Sequence, residues 1–341
     1  MNYIHTDENA VYYECGYSND NCIYLSLGSE AYLITDGRYT TEASDALKDC
    51  DIELIIDNDL AAKASKIIKK NKIKKIHYDP KEWDCFGFGK LKEKNDAQWI
   101  AKVALSHKKR IIKTPQEIKM LQKAVRQGAE AFDEFAKMII QNGIAQSEKS
   151  LYDMAKRAMS RGGRSELSFD PIVAIGKNAA KPHAKPSSKR LKEGDLLLFD
   201  AGLKYKRYCS DRTRTAQIRD QFGFSRSQQF GKKKIQKAYD AVKKAHDRAI
   251  TKARSGMRAS KIDALARDVI EKAGFGKYFV HSTGHGVGLD IHEMPYISSR
   301  SNTKIKDGMV YTIEPGIYIP DQFGIRLEDM VVMENSKARV L

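Results

Sequence analysis

Hydrophobic and polar residues alternate along this chain with two different periods. Near its start, short apolar runs of strand character (CIYLSL at 22–27, AYLIT at 31–35, IELII at 52–56, KIHY at 75–78) are interleaved with stretches of helical spacing (TTEASDAL at 40–47, LAAKASKIIKK at 60–70). Strand and helix patterns in alternation predict a small α/β domain. This stretch carries no chemical motif of its own.

The pattern changes at KKRIIKTPQEIKML. Thr114 suits the N-cap, Pro115 the first helical position, and Glu117 can close a capping box. Ile118, Leu121, Val125, Ala129, Phe132 and Ala136 follow at helical spacing and predict a core-facing stripe. A second helix is expected over about 147–161, and strands around 172–175, 196–200 and 208–217. A long basic helix is expected from about 228 to 253 and another over about 260–273, with strands and turns from Val280 onward. Strands, two helices, then strands again suggest a duplicated α+β half, although no sequence repeat accompanies it. The predicted organisation is an α/β domain over 1–113 and a larger α+β domain over 114–341.

A length of 341 residues agrees with two domains. No apolar run approaches the roughly 20 residues that span a bilayer, so no membrane partner is expected. The opening MNYIHTDENAVYY lacks the basic-then-apolar order of a secretion signal. The five cysteines (Cys15, Cys22, Cys50, Cys85, Cys209) are odd in number and form no CxxC pair. They read as reduced thiols in a cytoplasmic protein. The net charge of +16 raises the question of nucleic acid. The lysine clusters at 69–75, 108–109, 232–234 and 243–244 are scattered and have no interleaved aromatics. They predict a solvated basic surface and no nucleic-acid partner.

Candidate chemistry gathers in the C-terminal half. Asp200, Asp211, His285, Glu314 and Glu328 lie in LLLFDAG, YCSDRTRT, GHGVGL, YTIEPGIY and IRLEDM, all strand-like segments. Carboxylates converging in a core need a counter-charge, because an unpaired buried carboxylate is very costly. Two divalent ions would supply it, and this donor set suits Mn, Co, Fe or Zn. An Asp pair in a hairpin is by itself an ordinary turn feature. Asp200, however, ends an apolar run, and an antiparallel hairpin could project it beside Asp211. HSTGHGVGLDIHE brings His281, His285 and His292 close together, with Gly284, Gly286 and Gly288 permitting close approach and unusual dihedrals. Pro315 and Gly316 turn the chain just after Glu314. In GIRLEDMVV, alternation puts Arg326 and Glu328 on one face, either as a surface pair or as a metal-binding glutamate oriented by arginine. His183 sits in a loop between prolines, where a histidine is ordinarily just exposed.

These segments resemble the pita-bread metallopeptidases, the family of methionine aminopeptidase, aminopeptidase P, prolidase and the metal-free creatinase. KTPQEI resembles the family's domain junction. KPHAKPS, GDLLLFDAGLKYKRYCSDRTRT, GHGVGLDIHE, GMVYTIEPGIYI and GIRLEDMVV follow in the family's order. LITDGRYTTEA resembles the extra N-terminal domain of the proline-specific branch. The resemblance spans almost the whole chain. It implies a pita-bread catalytic domain over 114–341 behind a creatinase-like domain over 1–113.

It further implies that Asp200, Asp211, His285, Glu314 and Glu328 hold two divalent ions, Mn first, with Co, Zn or Fe as alternatives. His183, His281 and His292 then surround the substrate, and Arg326 braces Glu328. Glu314 takes a proton from water and passes it to the leaving nitrogen, while His292 or His183 helps stabilise the oxyanion. The substrates implied are short peptides cleaved before proline, and the protein is expected to be a homodimer. Dipeptidase and aminopeptidase P remain open. Arg300 either reads the free carboxylate of a dipeptide or is a solvated loop charge. The alternative function is a catalytically silent binding protein with a basic surface, against which the full ligand set argues.

Overall fold

A computed structural model describes residues 1–93 and 95–341, and the chain divides into Met1–Arg110 and Ile111–Leu341. The sequence pattern put the boundary at 113/114. The residues between belong with the second unit because the Lys113 amide donates to Gly308 O (2.8 Å) and the buried Lys113 ammonium pairs with the buried Glu293.

The first unit is built on a six-stranded mixed sheet. Across it run Glu53–Ile56, Glu30–Thr35, Cys22–Leu27, Tyr3–His5, Lys75–Tyr78 and Gln98–Ala101. The three middle strands pair antiparallel and the outer ones parallel. The helix Leu60–Lys70 starts at the Asp59 cap, whose carboxylate accepts from Ala62 N (3.0 Å), and buries Leu60, Ala64, Ile67 and Ile68. The strands Tyr3–His5 and Gln98–Ala101 were not apparent from the pattern. Each is too short to show a period.

The second unit opens with the helix Pro115–Asn142. Its capping box is complete: Glu117 N donates to Thr114 Oγ1 (3.2 Å) and Thr114 N to Glu117 Oε2 (2.8 Å). Its buried face centres on Leu121, Ala124, Gly128, Phe132 and Phe135, so Val125 and Ala129 flank the stripe rather than fill it. Helix Glu148–Met159 and a three-stranded sheet follow, in the order Arg212–Gln217, Leu196–Ala201, Ile172–Ile175. The central strand separates two cores. Leu197 and Phe199 pack with Phe132 and Phe135, and Leu196 and Leu198 pack with Tyr239 and Val242.

The basic helix spans Lys233–Lys252, later than expected. The chain just before it is held out of helix by side chains, with Phe230 N donating to Gln236 Oε1 (2.7 Å) and Gly231 N to Gln217 Oε1 (2.9 Å). Helix Ala259–Lys272 follows. The last part forms a five-stranded antiparallel sheet, ordered Glu293–Ile297, Gly284–Gly286, Val310–Ile313, Asp329–Glu334, Lys337–Val340. The hairpin Gly316–Ile319 with Phe323–Arg326 stands apart from it. Among the described residues no helix is long and apolar enough to cross a membrane.

Candidate active site

Asp200 lies near the end of the central strand Leu196–Ala201 and pairs across the ladder with Thr213. Directly opposed residues of an antiparallel pair project on one face, and Asp211, two positions before Thr213, shares that face. The strand expected over 208–217 is interrupted here. Ser210 bonds back to Leu203 through its amide (2.8 Å), and Tyr208–Cys209 pairs with Lys204–Tyr205 instead. Asp211 therefore sits just outside the ladder, with its amide donating to Met330 Sδ (3.3 Å).

His285 is carried by Gly284–Gly286, between two neighbouring strands. A Cβ on Gly284 would lie 1.9 Å from Thr312 O, so close backbone approach explains this glycine. Gly284, Gly286 and Gly288 are not among the residues with positive φ, which removes the expected unusual dihedrals. Glu314 follows Val310–Ile313, its amide donating to Thr283 O (2.8 Å). Glu328 occupies the break between Phe323–Arg326 and Asp329–Glu334. Its Oε2 accepts from Thr213 Oγ1 (2.6 Å) and its amide donates to Thr213 O (3.1 Å).

The arginine differs from its expected role. The buried Arg326 donates from Nη2 to Asp200 Oδ2 (2.5 Å) and from Nε to Thr213 Oγ1 (2.9 Å). It thus braces Asp200 directly and reaches Glu328 through the Thr213 hydroxyl. The alternation argument assumed a continuous strand through Leu327, where the ladder in fact breaks. Arg326 Nη1 also donates to the Tyr318 hydroxyl (2.8 Å), which lies 2.9 Å from His281 Nε2. His281 Nδ1 faces the Ser282 carbonyl (2.7 Å). A carbonyl only accepts, so Nδ1 carries the proton and Nε2 accepts from Tyr318.

Thr213, Tyr318 and Glu148 were not singled out from the sequence. The alternating threonines of DRTRT and the Gly316-x-Tyr318 spacing were the available signals. A Cβ on Gly316 would lie 2.6 Å from the Tyr318 oxygen. The fully buried Glu148 accepts from Asn178 Nδ2 (2.8 Å) and Ser187 N (2.7 Å), fastening both ends of the loop that carries His183.

One cavity of about 710 Å³ is lined by His183, Asp200, Asp211, His281, His285, His292, Glu314, Arg326 and Glu328, so every candidate site residue meets there. Phe169, Pro171, Ile291 and Tyr296 give it apolar walls. The exposed His183 and His292 stand in its opening, with the His292 ring 4.3 Å from that of His285. Arg300 is exposed and is not part of this lining, which favours the solvated-loop reading.

The donor set fits a divalent metal. His285 Nδ1 faces the Gly286 carbonyl (3.1 Å), so the neutral ring turns its Nε2 lone pair inward. That atom lies 3.3 Å from Glu314 Oε1 and 3.6 Å from Asp211 Oδ2. Ligand atoms of Asp211, His285 and Glu328 fall within 4.8 Å of one another. Asp200 Oδ1 is shielded from solvent and has no hydrogen-bond partner among the described residues. Several buried acceptors facing one another call for a cation.

The proton affinities agree. Burial, then the charges of Glu328, Asp200 and Glu314, pushes the Asp211 carboxyl well above its usual range. Burial, then Glu314 and Asp200, does the same to Glu328. Burial also raises Glu314, against the lowering influence of His281 and Arg326. Burial lowers His281, His285 and His292, which favours the neutral, ligand-competent imidazole.

Comparisons with known proteins show what the chain as a whole is similar to. The profile of metallopeptidase family M24 matches residues 119–335. The Xaa-Pro dipeptidase of Pyrococcus furiosus is 39% identical over 232 residues, a match spanning 68% of this chain and 63% of that protein. A solved Xaa-Pro dipeptidase from Bacillus anthracis superposes with a TM-score of 0.90 at 32% identity, covering 99% of this chain and 92% of the other. The X-Pro aminopeptidase of Thermotoga maritima superposes with a TM-score of 0.87 at 29% identity, covering 99% and 94%.

Proposed function

The chain belongs to metallopeptidase family M24, and from that premise we propose that it is a dinuclear-metal Xaa-Pro peptidase. It would cleave the imide bond before proline at the N-terminus of short peptides. Asp200, Asp211, His285, Glu314 and Glu328 would hold the ions, manganese being the first candidate. The observation that carries this reading is the set of mutually facing acceptors around His285 Nε2, on the wall of an apolar cavity.

Divalent ions bound there would polarise the scissile carbonyl and lower the pKa of water. The chain's own residues would do the rest. Glu314 receives a proton from water and delivers it to the proline nitrogen, which bears no hydrogen of its own and must be protonated as it leaves. His292 and His183 face the substrate from the cavity opening and stabilise the oxyanion. Tyr318 and Ser282 fix the tautomer of His281. Phe169, Pro171, Ile291 and Tyr296 offer apolar contact to the proline ring and exclude water.

The test is hydrolysis of Xaa-Pro dipeptides and Xaa-Pro-Yaa tripeptides with added Mn or Co, before and after chelation, with metal content measured in parallel. Activity that is specific for proline, lost on chelation and regained with metal is expected. Full activity after chelation, or equal cleavage of substrates lacking proline, would overturn the proposal.

A further inference from the structure

A second cavity, of about 380 Å³, opens on the reverse side of the Asp200 strand pair. Arg212 and Arg214 flank Thr213 in sequence, so they leave the strand away from the metal-ligand face. Arg126, from helix Pro115–Asn142, and Arg226, from the chain before Lys233–Lys252, line the same cavity. Two of these cations are engaged. Arg214 donates to Asp329 Oδ1 (2.5 Å) and Glu328 O (2.6 Å), and Arg226 pairs with Asp247. The side chains of Arg126 and Arg212 make no hydrogen bond or ion pair with any described residue. The Nε atoms of Arg212 and Arg214 are shielded from solvent and unpartnered.

The acids on this wall do not balance the charge. Asp329 is shared among Arg214, Arg226 (3.8 Å) and His246 (3.3 Å), and Asp211 turns its carboxylate toward His285. Like-charged guanidinium groups crowded around a cavity, with shielded donors left over, disfavour the empty state. A bound oxyanion relieves this, because the guanidinium fork matches phosphate and carboxylate geometry.

We propose that this cavity is an anion-binding pocket for a small phosphate monoester, held chiefly by Arg126 and Arg212. Arg212 lies over the Phe132 ring (5.2 Å) but, like Arg126, has no acid partner among the described residues, and two such guanidinium groups match the near-double charge of a phosphate monoester better than that of a single carboxylate. Val125, Ala129 and Met330 offer apolar contact to its organic part. The pocket shares Asp211 with the wall of the proposed catalytic cavity, but its arginines line only the second one, and the inference does not depend on the peptidase reading.

Calorimetric titration of the metal-loaded protein with β-glycerophosphate tests it at physiological salt, with glycerol as the uncharged control. Saturable binding with one site per chain is expected for the phosphate and none for glycerol. Arg212→Ala and Arg126→Ala should each weaken it by about tenfold or more, the worth of a charged hydrogen bond. Arg126 stands exposed on its helix, so its replacement leaves the fold intact, and Arg126→Lys should keep part of the affinity. No saturable binding overturns the proposal. So does equal affinity in wild type and both alanine variants, which would place the anion at the metal-ligand cluster or among the surface lysines.

Discussion

Two hydroxyl groups organise the charged residues of the site. Thr213 Oγ1 donates to Glu328 and accepts from Arg326, while the Tyr318 hydroxyl joins Arg326 to His281. Removing the second, in Tyr318→Phe, should lower kcat by about 10–100-fold, the usual cost of losing a residue that orients ligands. The melting temperature should fall by only a few degrees, the cost of leaving a buried donor and acceptor unpaired, and steady-state kinetics beside a thermal melt would separate the two. Glu314→Gln should lower kcat by about 10²–10⁴-fold, the contribution of a positioned acid–base group, with circular dichroism unchanged. At this scale most of the charged residues were legible in the sequence because Asp200 ends an apolar run and three histidines crowd one glycine-rich segment, while His183, in a loop, was legible only through the resemblance. Thr213 and Tyr318 were not, since threonine and tyrosine are common strand residues and their hydroxyl partners come from distant segments. Arg326 was legible as a residue but not in its pairing, because Asp200 is remote in sequence.

Strands are also tied together away from the site. Arg214, on Arg212–Gln217, and Asp329, at the start of Asp329–Glu334, form a buried pair between two sheets. Burial works to raise the Asp329 carboxyl, but His246 and Arg214 outweigh it and hold the carboxyl below its usual range. A depressed carboxylate contributes stability above its ordinary value near 3.8, and that contribution is lost as pH falls through the depressed value. Asp329→Asn should therefore cost about 3–5 kcal/mol near neutral pH, measured by urea unfolding, because it leaves Arg214 buried and unpaired. The gap to wild type should narrow below pH 4. Elements with local signals were legible: the capping box of Thr114 and Glu117 announced its helix. The start of the basic helix was not, because Gln217 and Gln236 capture the amides of Gly231 and Phe230.

At the scale of the molecule, the cluster makes stability depend on pH and metal together. Carboxyl groups raised in the folded state stabilise it while protonated. That stability declines as pH rises from their ordinary values near 4 through neutrality. Chelated protein should therefore lose melting temperature between pH 5 and pH 8, and added Mn should restore most of it at pH 8. A chelated protein equally stable at both would contradict the cluster's electrostatics. Arg300→Ala should leave KM for an Xaa-Pro dipeptide and its tripeptide within about twofold of wild type, since an exposed surface charge contributes little. The two-unit organisation was legible from the change in hydrophobic period. The order of the five-stranded sheet was not, because no local pattern tells Asp329–Glu334 to insert between Val310–Ile313 and Lys337–Val340.

That late strand has a consequence for biosynthesis. A growing polypeptide releases Asp200, Asp211, His285 and Glu314 from the ribosome well before Glu328 and the strand that follows it. Until then the five-stranded sheet lacks an interior member, and the nascent chain holds the other acids of the cluster without Glu328. The first unit, complete by Arg110, can fold while synthesis continues. The second cannot close until nearly its whole length has emerged. Under the proposed ligand set, ribosome-bound chains stalled before Glu328 should retain no tightly held ion.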